Sequence, residues 1–171
     1  MNRKDIEETF PELNEIKDME LRDKVIEVWL LAIEESNFKD LAYVPFTLTV
    51  PTKTSLIEHT RRVTQMAMAA AKVRTDLNYD VVVAGGLCHD VGKLLEYEER
   101  NGKITKSYSG ELVRHPVSGY GLAVEVGMPV EVCHIIAAHS DEGEKVKRTP
   151  EAILIHHCDF IDFDIEKSRI K

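Results

Sequence analysis

The chain has 171 residues, 43% of them hydrophobic and 30% charged, enough for one domain with a sizeable core and too few for a second full one. A formal charge of −8 argues against charge-driven binding of long nucleic acid, which needs a basic footprint, and no uninterrupted apolar stretch approaches the ~20 residues of a membrane span. Three widely spaced cysteines, Cys88, Cys133 and Cys158, form no CxxC pair, so neither a disulfide framework nor a structural zinc knuckle is expected.

The opening residues "MNRKDIEETFPEL" are too charged for a signal peptide, and a cytoplasmic location is expected. From Asp18 to Ser36 the apolar set Leu21, Val25, Val28, Trp29, Ala32 and Ile33 recurs at helical spacing and predicts an amphipathic helix. Trp29 can serve either the core or a contact with a second copy, which leaves a homodimer open. "YVPFTLTVPT", with two prolines and several β-formers, reads as an extended connection. Ser55 and Glu58 make a capping box for a helix reaching about Arg74.

Asp80 is expected to cap the next helix, "VVVAGGLCH", which is apolar nearly all round and therefore central, with Gly92 as its stop. Two polar runs flank Asn101-Gly102, a strong hairpin signal. Helical patterns return from Pro116 to about Val126 and from Pro129 to about His139. The last helix starts at Thr149, an N-cap followed by Pro150, and runs past Asp159. No internal repeat or low-complexity segment interrupts the chain. The expected fold is an all-α bundle of about six helices with one small β-hairpin.

Five of these segments carry a histidine or aspartate where a polar group is costly. His59 lies on the inward face made by Leu56, Val63, Met66 and Ala70. One inward histidine is ordinarily a hydrogen-bonded core residue. His89 and Asp90 close the apolar helix, and a carboxylate buried there needs a cation, whether Lys93 or a metal. His115 precedes a helix start, His139 shares a face with Val132, Ile135 and Ile136, and Asp159 shares one with Ala152 and Ile155. Imidazoles with carboxylates suit Mn²⁺, Fe²⁺, Co²⁺, Ni²⁺ or Zn²⁺. Six such groups exceed the needs of one ion that must also admit water and substrate. A pair of ions ~3.5–4 Å apart, bridged by a carboxylate, accounts for them better and acidifies the water between them.

The succession of His59, then His89 with Asp90, then Asp159, together with the extended "HDVGK", resembles the HD-domain superfamily of metal-dependent phosphohydrolases. "LIEHTRRV", "HDVGK", the "NGK" hairpin and "HPVSGY" resemble in particular the HD domain of bacterial manganese-dependent 3′-to-5′ exoribonucleases. The likeness covers roughly residues 50–165. It implies a single HD domain over 1–171, with 1–50 a helical extension and connection and 51–165 the HD core.

The resemblance further implies one divalent ion held by His59, His89, Asp90 and Asp159, and a second held by His115 and His139 with Asp90 as bridge. Asp90 and Lys93 would be catalytic, Lys93 also meeting charge on a phosphoryl oxygen. Lys93 reads equally as a salt-bridge partner of Asp90, and Arg62 either as a phosphate contact or as a surface ion pair. Arg61 and the run Lys145 to Arg148 could also meet a small anion, although such runs are ordinarily solvated. His134 is five residues before His139, about 140° round a helix, and is left out of the ligand set. His156 and His157 are candidates for the pocket around Asp159.

The implied function is hydrolysis of a phosphate mono- or diester of a small nucleotide-like substrate by a metal-bridging hydroxide. Two alternatives stay open: a mixed-valent di-iron oxygenase on the same six ligands, and a metal-holding ligand sensor without turnover.

Overall fold

Capping side chains set the ends of most of the helices. In the computed structural model, which describes residues 1–38 and 40–170, α1 (Arg3–Thr9) is capped by Asn2 and Asp5 and α2 (Met19–Glu35) by Asp18. The Ser55–Glu58 capping box opens α3 (Leu56–Val73), each side chain accepting the other residue's backbone N–H. Thr149 accepts from Ala152 N–H at the start of α9 (Pro150–Ser168), with Pro150 where no N–H is needed.

Between these lie α4 (Tyr79–Cys88), α5 (Lys93–Glu96), β1 (Tyr97–Arg100), β2 (Lys103–Lys106), α6 (Tyr108–Leu112), α7 (His115–Glu125) and α8 (Val130–Ala138). Among the described residues, six helices of nine residues or more (α2, α3, α4, α7, α8 and α9) form the expected bundle. The antiparallel hairpin pairs Tyr97 with Lys106 and Arg100 with Lys103. Asn101 and Gly102 turn it with φ of 55° and 72°, the left-handed pair a two-residue hairpin demands.

Two helix-end expectations are corrected. Asn78, not Asp80, caps α4 by accepting from Val81 N–H. The Asp80 carboxylate instead accepts the N–H groups of Lys17 and Asp18 at 3.1 and 2.8 Å, tying the start of α2 to α4. Gly92 is not a left-handed stop, because its φ is −64° and its ψ is −13°. The chain passes through turns at 89–92 and enters α5 directly. Glycine is needed there for clearance: a Cβ would sit 2.2 Å from the His115 carbonyl oxygen and 2.5 Å from the Gly119 nitrogen.

Every residue of α4 from Val81 to Cys88 is buried, so its all-round apolar surface is satisfied by α3, α2, α8 and α9 packed about it. One apolar cluster extends from Ile6 to Cys158. The N-terminal helices belong to it: Trp29 is fully buried, packs on Phe10, and donates its indole N–H to the Leu87 carbonyl at 3.0 Å. The central α4 therefore carries His89 and Asp90 into the interior, where α3, α7, α8 and α9 can reach them. No described helix is long and apolar enough to cross a membrane.

Candidate active site

The six expected ligand residues meet in the interior as two groups. His59, His89 and Asp159 form one, Asp90, His115 and His139 the other, and within each group the ligand atoms lie within 4.8 Å of one another. Asp90 faces both. Its Oδ2 is 3.4 Å from Nε2 of His59 and of His89, and its Oδ1 is 3.2 Å from Nε2 of His115 and 3.5 Å from Nε2 of His139. Asp159 Oδ1 completes the first group at 3.1 Å from His59 Nε2.

Each imidazole is oriented by a bond from its other nitrogen. His59 donates Nδ1–H to Asp162 at 2.8 Å and His115 to Glu96 at 2.7 Å. His89 donates to the Gly86 carbonyl at 2.7 Å and His139 to the Ile136 carbonyl at 2.8 Å. Carbonyls only accept and ionised carboxylates only accept, so the Nδ1 proton is fixed and Nε2 is the nitrogen turned to the centre. The Nε2 atoms face one another in pairs, His59 to His89 at 3.4 Å and His115 to His139 at 3.3 Å.

Electrostatics follow from this crowding. Burial opposes charge on His59, but Asp159, Asp162 and Asp90 outweigh it and lift its pKa to about 10. Burial dominates at His115 and takes it down to about 4 despite Glu96. Burial likewise disfavours charge on Asp90, yet Lys93 and the surrounding histidines hold it well below the usual carboxylate range. Asp159 is held down in the same way, chiefly by His59.

The residues fit divalent ions on two grounds. Asp90 Oδ1 is fully buried and has no hydrogen-bond partner among the described residues, which is costly for an ionised oxygen. It points at His115 and His139, whose Nδ1 protons are committed elsewhere, and lone pairs facing at 3.3 Å call for a cation between them.

The remaining expected residues divide. Lys93 is buried, donates to Asp90 Oδ2 and the Phe46 carbonyl, and lines the cleft beside the centre. Arg62 is not among the cleft-lining residues; it pairs with Glu166 at 3.2 Å and Asp162 at 3.6 Å, because α9 presents carboxylates along its path. It stands behind His59, on the far side of Asp162. Arg61 pairs with Glu12, and Arg148 turns inward to the carbonyls of Ala138 and Ser140. His134 accepts the N–H of Thr149 at 3.2 Å, away from the centre. His156 donates Nδ1–H to the His139 carbonyl at 2.6 Å, and His157 is exposed beside it.

Sequence reasoning missed Asp162, Glu96 and most of the cleft. Asp162 follows Asp159 by three residues and so shares its helix face, a signal available in "DFIDFD". The cleft has a volume of about 260 Å³ and runs outward from Asp90, His115 and Asp159. Its walls include Phe160 and Phe163 from α9, Lys106 from β2 and Arg114 just before α7.

A protein-family model described as HD domain matches residues 56–164. The chain is 28% identical over 122 residues to a dihydroneopterin 2′,3′-cyclic phosphate phosphodiesterase of Methanocaldococcus jannaschii, covering 68% of this chain and 49% of that protein. It is 32% identical over 108 residues to the ribonuclease Y of Desulforudis audaxviator, covering 63% of this chain and 18% of that one. The ribonuclease Y of Thermosipho melanesiensis is 30% identical over 97 residues, 56% of this chain and 16% of its own length. The chain thus spans about half the length of the first of these relatives and under a fifth of the others. No solved structure matches it at comparable stringency.

Proposed function

The chain belongs to the HD domain family, and from that premise we propose that it is a metal-dependent phosphohydrolase acting on a phosphate mono- or diester of a small nucleotide-like molecule. The observation that carries this reading is the Asp90 carboxylate, which divides its two oxygens between two histidine groups. The relative named as a cyclic phosphate phosphodiesterase supports the reaction class.

In this reading His59, His89 and Asp159 hold one divalent ion, His115 and His139 a second, and Asp90 serves both. The ions, from the group Mn, Fe, Co, Ni and Zn, would supply Lewis acidity and acidify a water into a nucleophile. The protein's own groups prepare the place. Asp162 and Glu96 keep the rings of His59 and His115 turned so that Nε2 faces inward. Lys93 steadies Asp90 Oδ2 and adds positive charge at the cleft wall where phosphoryl oxygens gain negative charge in the transition state. Arg114 and Lys106 add to that field farther out. A cleft of about 260 Å³ suits a small ester rather than a polymer.

The test is a screen of nucleotide mono- and diesters with the protein loaded in turn with Mn²⁺, Fe²⁺, Co²⁺ and Ni²⁺. Release of phosphate or of a monoester, lost in Asp90→Ala, is the expected result. Oxygen uptake by the iron-loaded protein with no ester cleaved under any metal would overturn the proposal in favour of an oxygenase.

A further inference from the structure

The cleft beside the metal ligands has an aromatic wall that phosphate chemistry alone does not require. Phe160 and Phe163 follow Asp159 by one and four residues on α9, and both line the cleft while remaining half-buried. Each is braced. His156 packs against Phe160 with ring centroids 4.7 Å apart, and Phe46 meets Phe163 edge-on at 6.2 Å. Phe46 is itself fixed, almost fully buried and stacked on His59 at 4.5 Å. The wall is therefore tied to the same helix and the same histidine as the phosphate end of the cleft. Its distance from the reacting group is set by the fold.

The same lining also holds polar and charged groups. Arg114 pairs with Glu142 at 3.1 Å and Lys106 with Glu96 at 3.5 Å, so both cations are held at the rim. Ser140 and Asp141 line the cleft from the loop after α8. A ligand that satisfies all three regions has an anionic ester at one end, a flat apolar face, and an edge able to hydrogen-bond. A volume of about 260 Å³, slightly under the ~300–1,000 Å³ usual for ligand sites, is on the scale of one ring system with its phosphate.

We propose that Phe160 and Phe163 form a stacking platform that makes the site selective for phosphate esters of a planar nitrogen heterocycle, with the ester at Asp90 and the ring edge toward Ser140 and Asp141. This rests on the phosphohydrolase reading and extends it to the leaving alcohol. Aromatic platforms of this kind bind heterocycles by their π-faces and tolerate variation in the ring, each stacked base being worth about tenfold or more in affinity. The aliphatic portion of an ester gains nothing comparable from them.

The test compares two five-membered cyclic esters, guanosine 2′,3′-cyclic phosphate and glycerol 1,2-cyclic phosphate, with the manganese-loaded full chain. The wild type is expected to favour the guanosine ester at least about tenfold in kcat/KM, and Phe160→Leu and Phe163→Leu to lower that ratio by about tenfold, chiefly through KM. Equal use of both esters by the wild type, or variants that lower both equally, would overturn the platform. If neither ester is cleaved, the screen of mono- and diesters under the four metals decides the hydrolytic reading separately. Calorimetry with guanosine 2′-monophosphate then decides the platform, with binding weakened about tenfold in Phe160→Leu supporting it and absence of binding overturning it.

Discussion

His59 Nδ1 lies 2.8 Å from Asp162 Oδ2 across the seam where α3 packs on α9. Asp162 is itself paired with Arg62, which also reaches Glu166. The ring of one candidate ligand is therefore held by a chain of charges that depends on two helices keeping their register. Losing such a partner leaves the ligand present but misdirected, and costs typically about 10–100-fold in metal affinity. Asp162→Asn, which can still accept from Nδ1–H, should fall near the lower bound and Asp162→Ala near the upper. Titration against a competing chelator reads both.

The same pairing predicts a proton count. With its pKa raised to about 10, His59 is protonated at neutral pH in the metal-free protein, whereas His115, lowered to about 4, is already neutral. A metal can bind His59 only by displacing that proton. Apparent affinity should therefore rise with pH up to about 10, with one proton released from His59 and none from His115. Calorimetric titrations at pH 7 in two buffers of different ionisation enthalpy measure the release. The sign for metal-free stability is the reverse. The His59 contribution is complete below its unfolded value near 6.5 and is lost as pH rises through about 10.

Asp90 and His134 should separate centre from scaffold. Asp90→Ala removes the only carboxylate that, among the described residues, faces both histidine groups, and it strands Lys93, so both ions and all ester cleavage should be lost. His134→Ala removes an acceptor for the first N–H of the Thr149 cap and should cost about 1 kcal/mol of stability while leaving metal content unchanged. Elemental analysis of the purified variants, with thermal melts, distinguishes the two outcomes.

The long helices and the candidate ligand residues were legible because their signals are local. Ser55 with Glu58 and Thr149 with Pro150 mark helix starts by themselves, and His59 or His139 on an apolar face is anomalous without knowing what it meets. The short α1, α5 and α6 span seven residues or fewer, too little for a period to show. Asp80 and Asn78 are two residues apart and both can cap, so only packing against the start of α2 decides between them. Glu96 reads as one more polar residue of the run before the hairpin until His115, 19 residues away, is in place, and Asp162, although it shares a face with Asp159, has no evident partner until His59, 103 residues away, packs against it. Lys106 and Arg114 enter the cleft from a hairpin and a connection, and nothing in their own neighbourhoods marks that.

Gly92 offers the sharpest test of how the backbone builds the second histidine group. It sits where the turn after Asp90 passes under the start of α7, and an added Cβ would be 2.2 Å from the His115 carbonyl oxygen and 2.5 Å from the Gly119 nitrogen. Both are backbone atoms, so no side-chain rotation relieves the clash. Either the turn carrying Asp90 or the first turn of α7 must move. Overpacking of this kind costs typically about 1–3 kcal/mol, and Gly92→Ala should lower Tm by about 2–4 °C per kcal/mol at this chain length. If the first turn of α7 is the part that yields, His115 is displaced, and the ion shared by His115 and His139 should be lost before the one shared by His59, His89 and Asp159. Metal stoichiometry during stepwise chelation checks this order. Simultaneous loss of both ions would mean that the shift is transmitted to Asp90 and that the two groups respond as one unit.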